Sequence, residues 1–177
     1  MGVPRPGAAG PLDILQGLNR ARVKYLVIGG VAVIYHGVPR GTFDLDLAVW
    51  LAPENLKRLS ATMKAMGFVP KAPVDVTGLA TVRMRRQWSQ RKGMKVFAFE
   101  ERKFPFRMVD VMVQPIRNFP QVYAQRVVVH DQGVAIPLMP IAQLIQTKQG
   151  TGRLKDKEDI EYLRFIQSVH TRRKSKG

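Results

Sequence analysis

The chain has 177 residues, with 29 Lys or Arg against 13 Asp or Glu and a net charge of +16. That length suits one domain with at most a small helical extension, and a hydrophobic content of 45% can fill its core. The lack of cysteine excludes disulfides and thiolate metal sites, no apolar run approaches the ~20 residues of a membrane span, and the charge points to a polyanion, RNA or DNA before a membrane surface.

Residues 1–11 are rich in Gly and Pro, carry no hydrophobic signal region and are expected to be disordered. A cytoplasmic protein with no membrane partner is the expectation. Leu12, Ile14, Leu15 and Leu18 recur at helical spacing. Lys24 to Ile28 is a short apolar run ended by Gly29-Gly30, which predicts a buried strand stopped by a turn. Val31 to His36 follows as a short apolar helix. The unpaired N–H groups at a helix start can hold a phosphate, and glycine lets the backbone come close to it. Gly37 to Gly41 is a turn containing one cation, Arg40, and Thr42 to Trp50 reads as a second strand.

In that strand Asp44 and Asp46 share a face, while Phe43, Leu45 and Leu47 point into the core. Two carboxylates side by side repel each other, and a divalent cation relieves the repulsion. Oxygen ligands combined with nucleotide phosphates suit Mg²⁺. Each of these signals alone is common on solvent faces. Together, a glycine turn, an Arg and a D-x-D on the next strand make the pattern of a metal–triphosphate site.

Pro53 and Glu54 open a helix to about Met66, with Leu56, Leu59, Met63 and Met66 inward. Phe68 to Pro70 begins an extended segment, and Val76 to Val82 is compatible with helix or strand. Arg83, Arg85, Arg86 and Arg91 with Trp88 form the densest basic–aromatic cluster. It reads either as a surface that stacks and neutralises single-stranded nucleic acid, or as a solvated segment around one core Trp. Met94 to Glu100 alternates as a strand, and Phe106 to Val113 is another, with Asp110 on the same face as Met108 and Met112. A lone Asp in a buried strand is costly unless it is paired or binds a metal. A short helix within 115–125 and a hairpin around Asp131-Gln132-Gly133 come next. Pro140 starts a helix that Gly150 ends. A final helix opens with Asp156, Glu158 and Asp159 and carries the apolar stripe Ile160, Leu163 and Ile166. The basic tail from His170 to Gly177 is expected to fray. The boundaries that follow are a core over 12–137, a helical part over 138–170 and a tail over 171–177.

The run G-G-x-A followed by H-G-x-x-R-x-T-x-D-L-D-L resembles the minimal nucleotidyltransferases of the DNA polymerase β superfamily. Within it, the resemblance is to the Abi-type group, which includes toxins of toxin–antitoxin systems. The resemblance implies an α/β fold: a small mixed β-sheet flanked by helices, with a C-terminal helical lobe. It implies two Mg²⁺ ions held by Asp44 and Asp46, and a third carboxylate on a later strand, matched here by Asp110, which holds one ion and orients the attacking hydroxyl as base. Gly29 and Gly30 would cradle the triphosphate of an NTP with help from Arg40, and Thr42 would orient Arg40 or a phosphate. The family's helix ending in Lys, its Gly- and Arg-containing turn and its K-D-x-x-D start match Lys148, Gly152, Arg153, Lys155, Asp156 and Asp159. Lys148 and Lys155 are thereby implied in binding triphosphate or substrate backbone, and Asp156 in positioning a neighbour or assisting proton transfer. Read as residues alone, Lys148 at a helix C-terminus and Asp156 at a helix N-terminus are favourable in any case. The implied activity moves an NMP from an NTP to an acceptor hydroxyl. The charge favours RNA such as tRNA as acceptor, and a toxin would have a cognate antitoxin partner. The alternative is a non-catalytic nucleic-acid- or partner-binding protein on the same scaffold.

Overall fold

The computed structural model describes residues 10–42, 44–149 and 151–174. The expectations for residues 1–9, for Phe43 as a core side chain, for Gly150 as a helix stop and for residues 175–177 lie outside the described residues. The centre of the fold is β1 (Tyr25–Ile28), whose four residues are all buried. A continuous apolar run of this length forms a strand covered on both faces. It turns directly into α2 (Gly29–Tyr35), so the helix starts on the glycine pair, two residues earlier than the apolar run alone predicts. β2 (Leu45–Val49) returns antiparallel to β1, with Ile28 opposite Asp46.

The remaining strands are β3 (Phe68–Pro70), β4 (Val96–Glu101), β5 (Met108–Met112), β6 (Val127–Asp131) and β7 (Val134–Leu138). One seven-stranded sheet runs β3-β4-β5-β2-β1-β7-β6. It is mixed: β5 is parallel to β2 and β7 is parallel to β1, while the other pairs are antiparallel. Gln132 and Gly133 join β6 to β7 with φ of 47° and 78°, a hairpin turn that needs two left-handed residues.

Helices flank the sheet: α1 (Leu12–Arg20), α3 (Pro53–Ala65), α4 (Val82–Lys92), α5 (Phe119–Ala124), α6 (Ile141–Lys148) and α7 (Leu154–Lys174), with a 3-10 turn over Val76–Ala80. Ile14, Leu15 and Leu18 of α1 and Leu56, Leu59 and Met63 of α3 are buried, as their spacing predicts. α7 packs on α6 through its stripe, in which Leu163 is fully buried, and it stays helical through His170 to Lys174, where fraying was the expectation. Among the described residues no helix is long and apolar enough to cross a membrane.

One face of the sheet holds Leu45, Leu47, Val109, Val111, Phe97 and Phe99, all buried. Strand alternation puts the acids on the other face. Ile28, Asp46, Asp110 and Ala98 lie opposite one another across β1, β2, β5 and β4, and so form one row.

Candidate active site

The site is assembled where β1 becomes α2. Gly29 has φ of +63°, and a Cβ there would lie 1.9 Å from Asp46 Oδ2. Glycine is therefore required twice over, for the turn and for the approach of the carboxylate. A Cβ on Gly30 would lie 2.8 Å from Thr42 Oγ1 and 3.2 Å from an Arg40 nitrogen. The N–H of Gly30 donates to Asp46. The glycine pair, Arg40, Thr42 and Asp46 thus meet around the first turn of α2.

Asp46 and Asp110 are register partners on adjacent parallel strands, and the exposed Asp44 interacts electrostatically with both. Burial, then Asp110, then Asp44, push the Asp46 carboxyl up from 3.8 to about 6, against the pull of Lys148 and the Gly30 N–H. Burial followed by Asp44 raises Asp110, with Lys71 opposing. Asp110 Oδ1 is shielded from solvent and has no hydrogen-bond partner. An orphaned carboxylate oxygen beside a second raised carboxyl is the donor set that a divalent cation fits. Among the described residues no three acidic or imidazole side chains close around a point as a complete cage.

The C-terminal helices bring the cations to the acids. Lys148, at the end of α6, is 7% exposed and donates to Asp156 Oδ1 at 3.0 Å and to Asp159 Oδ2 at 2.8 Å. Arg40 pairs with the same Asp159 oxygen, and Asp159 is itself 4% exposed. Burial raises the Asp156 carboxyl, but hydrogen bonds from Lys148 and Thr151 outweigh it and hold the group below its ordinary value. The Nε of Arg40 is buried without a partner. Lys155 is exposed on the first turn of α7, and no ion pair holds it among the described residues.

Two residues enter the site without a role assigned from the sequence: Asp159, matched above only as the end of the K-D-x-x-D start, and Lys71. Asp159 bridges Arg40 and Lys148. It lies four residues before buried Leu163, so it shares the inner face of α7, a signal open to a helical reading. Lys71 follows β3, and its N–H bonds to the Ala98 carbonyl, which extends the row beyond Ala98. Its place depends on the pairing of a three-residue strand, which has no sequence signature.

The basic–aromatic cluster is corrected. Its segment is α4, and Trp88 is 2% exposed, with its ring 5.7 Å from Phe97 and its edge against Gly78. A ring filling the core offers no face to a base, so Trp88 does not stack nucleic acid. Arg85 donates to the Leu79 carbonyl, while Arg83, Arg86 and Arg91 are exposed. Because Trp88 meets Phe97, α4 covers the sheet face opposite the acids.

No protein-family model matches the chain, and no curated protein matches it. Solved structures do. The lincosamide antibiotic adenylyltransferase LnuA, lincomycin-bound, is 13% identical, covers 87% of this chain and 94% of its own, and superposes with a TM-score of 0.57. An antigenic nucleotidyltransferase-like protein from Paracoccidioides brasiliensis is 17% identical over 89% of this chain and 73% of its own, with a TM-score of 0.53. The antibiotic-resistance factor ANT(2'')-Ia is 12% identical over 93% of this chain and 92% of its own, with a TM-score of 0.51. At these identities the likeness establishes the fold: the chain has the mixed α/β nucleotidyltransferase fold that its glycine pair and D-x-D run led us to expect.

Proposed function

We propose that the protein is a metal-dependent nucleotidyltransferase that moves an NMP from an NTP to an acceptor hydroxyl, with RNA such as tRNA as the acceptor class. The observation that carries the reading is the adjacency of Asp46 and Asp110 on neighbouring strands, with Gly29 pressed against Asp46 and an orphaned oxygen on Asp110. Mg²⁺ held by Asp44, Asp46 and Asp110 would supply charge stabilisation at the reacting phosphate. Gly29, Gly30 and the N–H groups that follow them would cradle the triphosphate, and Arg40, Lys148 and Lys155 would supply its counter-charge, with Thr42 and Asp156 orienting them. The acceptor oxygen forms a bond to the α-phosphorus as the bond from that phosphorus to the β-bridging oxygen breaks. Pyrophosphate leaves, and the hydroxyl proton passes to Asp110 as the base.

The net charge of +16 supports a polyanionic acceptor, and the exposed Arg83, Arg86 and Arg91 are available to its backbone. A small-molecule acceptor is the second reading, favoured by the likeness to a lincomycin-bound adenylyltransferase. The same chemistry serves a toxin held by an antitoxin, which growth arrest on expression, and its rescue by a neighbouring small gene, would reveal. The direct test incubates the protein with each α-labelled NTP, Mg²⁺ and total bacterial RNA, beside an Asp44→Asn/Asp46→Asn variant. Label on RNA with the wild type alone is the expected result. RNA bound equally well in EDTA, with no label transferred to any acceptor, would leave only a binding module.

A further inference from the structure

A cavity of about 460 Å³ lies between the loop after β5, the helix α5 and the helix α6. One wall continues the strand that carries Asp110. The other is the helix that ends in Lys148. Its size falls in the range of small-molecule sites, about 300–1,000 Å³. Its chemistry is unusual for so basic a chain. Five carboxamides line it, Asn118, Gln121, Gln125, Gln143 and Gln146, and among the described residues around it Arg117 is the one charged side chain. The oxygen of Gln143 is shielded from solvent and has no hydrogen-bond partner. A buried acceptor left open costs free energy until a ligand brings a donor to it.

These features exclude several ligand classes. With no carboxylate in the lining, a polycationic acceptor finds no counter-charge. With one Arg, a phosphate chain finds little, and the cations that suit one, Arg40 and Lys148, belong to the neighbouring site. Carboxamides offer a donor and an acceptor on one plane, which matches the edge of a nucleobase. Ile116, Val122 and Met139 add apolar surface for the faces of a ring.

We propose that this cavity binds a nucleobase, read by Gln143 and its neighbouring carboxamides. The inference deepens the nucleotidyl-transfer reading and rests on it. The base comes either from the NTP or from the terminal nucleotide of an RNA acceptor. A smaller cleft lined by Arg85 and Arg86 shares Pro115 with the cavity, which offers an acceptor strand a path for its phosphates.

Equilibrium binding to the full chain with Mg²⁺ tests this with two ligand series: the four NTPs, and four short single-stranded RNAs that differ only in the 3′ base. Inorganic tripolyphosphate serves as the base-free control. The wild type should prefer one member of one series by about tenfold, and Gln143→Leu should reduce that preference to about twofold while tripolyphosphate affinity is unchanged. A preference within the NTP series assigns the base to the donor, and one within the RNA series assigns it to the acceptor. Gln121→Leu, on the facing wall, repeats the test should Gln143→Leu lose its cooperative thermal transition. No preference in either series, or a preference that survives both substitutions, overturns the proposal. Failure of tripolyphosphate and NTPs alike to bind would instead count against the nucleotidyl-transfer reading, and the RNA series would still judge the cavity.

Discussion

At Gly29 a side chain has no room, because its Cβ would lie within 1.9 Å of an Asp46 oxygen and the backbone there is left-handed. Gly29→Ala is therefore expected to cost about 1–3 kcal/mol in a denaturant melt and to displace Asp46, with loss of tripolyphosphate binding. Gly41→Ala, where a Cβ meets nothing within 4 Å, is the matched control and should change neither. Asp46 makes a second prediction. Folded, it keeps its proton up to about pH 6, whereas its ordinary value is 3.8. Between those values the folded chain binds more protons than the unfolded one, so stability falls as pH rises through that window and stays low above it. In metal-free buffer at pH 8, Asp46→Asn should be more stable than the wild type by on the order of 1–3 kcal/mol, and the gap should close as pH falls towards 4. Urea melts at the two pH values check this. A gap that widened in acid would contradict the burial and carboxylate repulsion assigned to Asp46.

At the scale of elements, α7 is tied to the core by charge as well as by its apolar stripe. Asp159→Ala would leave Arg40 without its ion-pair partner and Lys148 with Asp156 alone, at an expected cost of about 3–5 kcal/mol. Leu163→Ala should cost about 2–5 kcal/mol by leaving a cavity, yet keep both cations paired. Thermal melts with and without tripolyphosphate separate the two, since the polyanion should recover stability in Asp159→Ala and not in Leu163→Ala. For α4 the prediction splits by residue. Trp88→Ala should cost about 3–5 kcal/mol, whereas Arg83→Ala/Arg86→Ala/Arg91→Ala should leave the melt unchanged and lower the log–log salt slope of RNA binding by about 2. The same elements show what a sequence makes legible. The turn from β1 into α2 and the alternation of β2 are written in local pattern, so the glycine pair and the paired acids were readable before any coordinates. Asp110 was readable as one acid in an apolar strand, but only the parallel pairing of β2 with β5 sets it beside Asp46. α4 was not readable, because Trp88 is the single buried residue of its eleven and no apolar stripe marks it.

Over the whole molecule, 29 Lys or Arg outnumber 13 Asp or Glu, and several of the acids are held in ion pairs. Three of the acids, Asp44, Asp46 and Asp110, come together at the sheet, with Lys148 acting on Asp46 and Lys71 on Asp110, while many of the other cations face solvent. On the proposed function, such an arrangement would attract a polyanion to the surface, and a triphosphate would meet the acids together with its own cation. The chain shares its fold with LnuA and ANT(2'')-Ia. The most direct measurement of the central claim runs one reaction with two labels. The protein is incubated with Mg²⁺, RNA and an NTP labelled at the α-phosphate, in parallel with the same NTP labelled at the γ-phosphate. Nucleotidyl transfer predicts α-label on the acceptor and γ-label released as pyrophosphate, both abolished by Asp46→Asn. The γ-label on the acceptor, or α-label transferred equally well by the variant, would contradict the account.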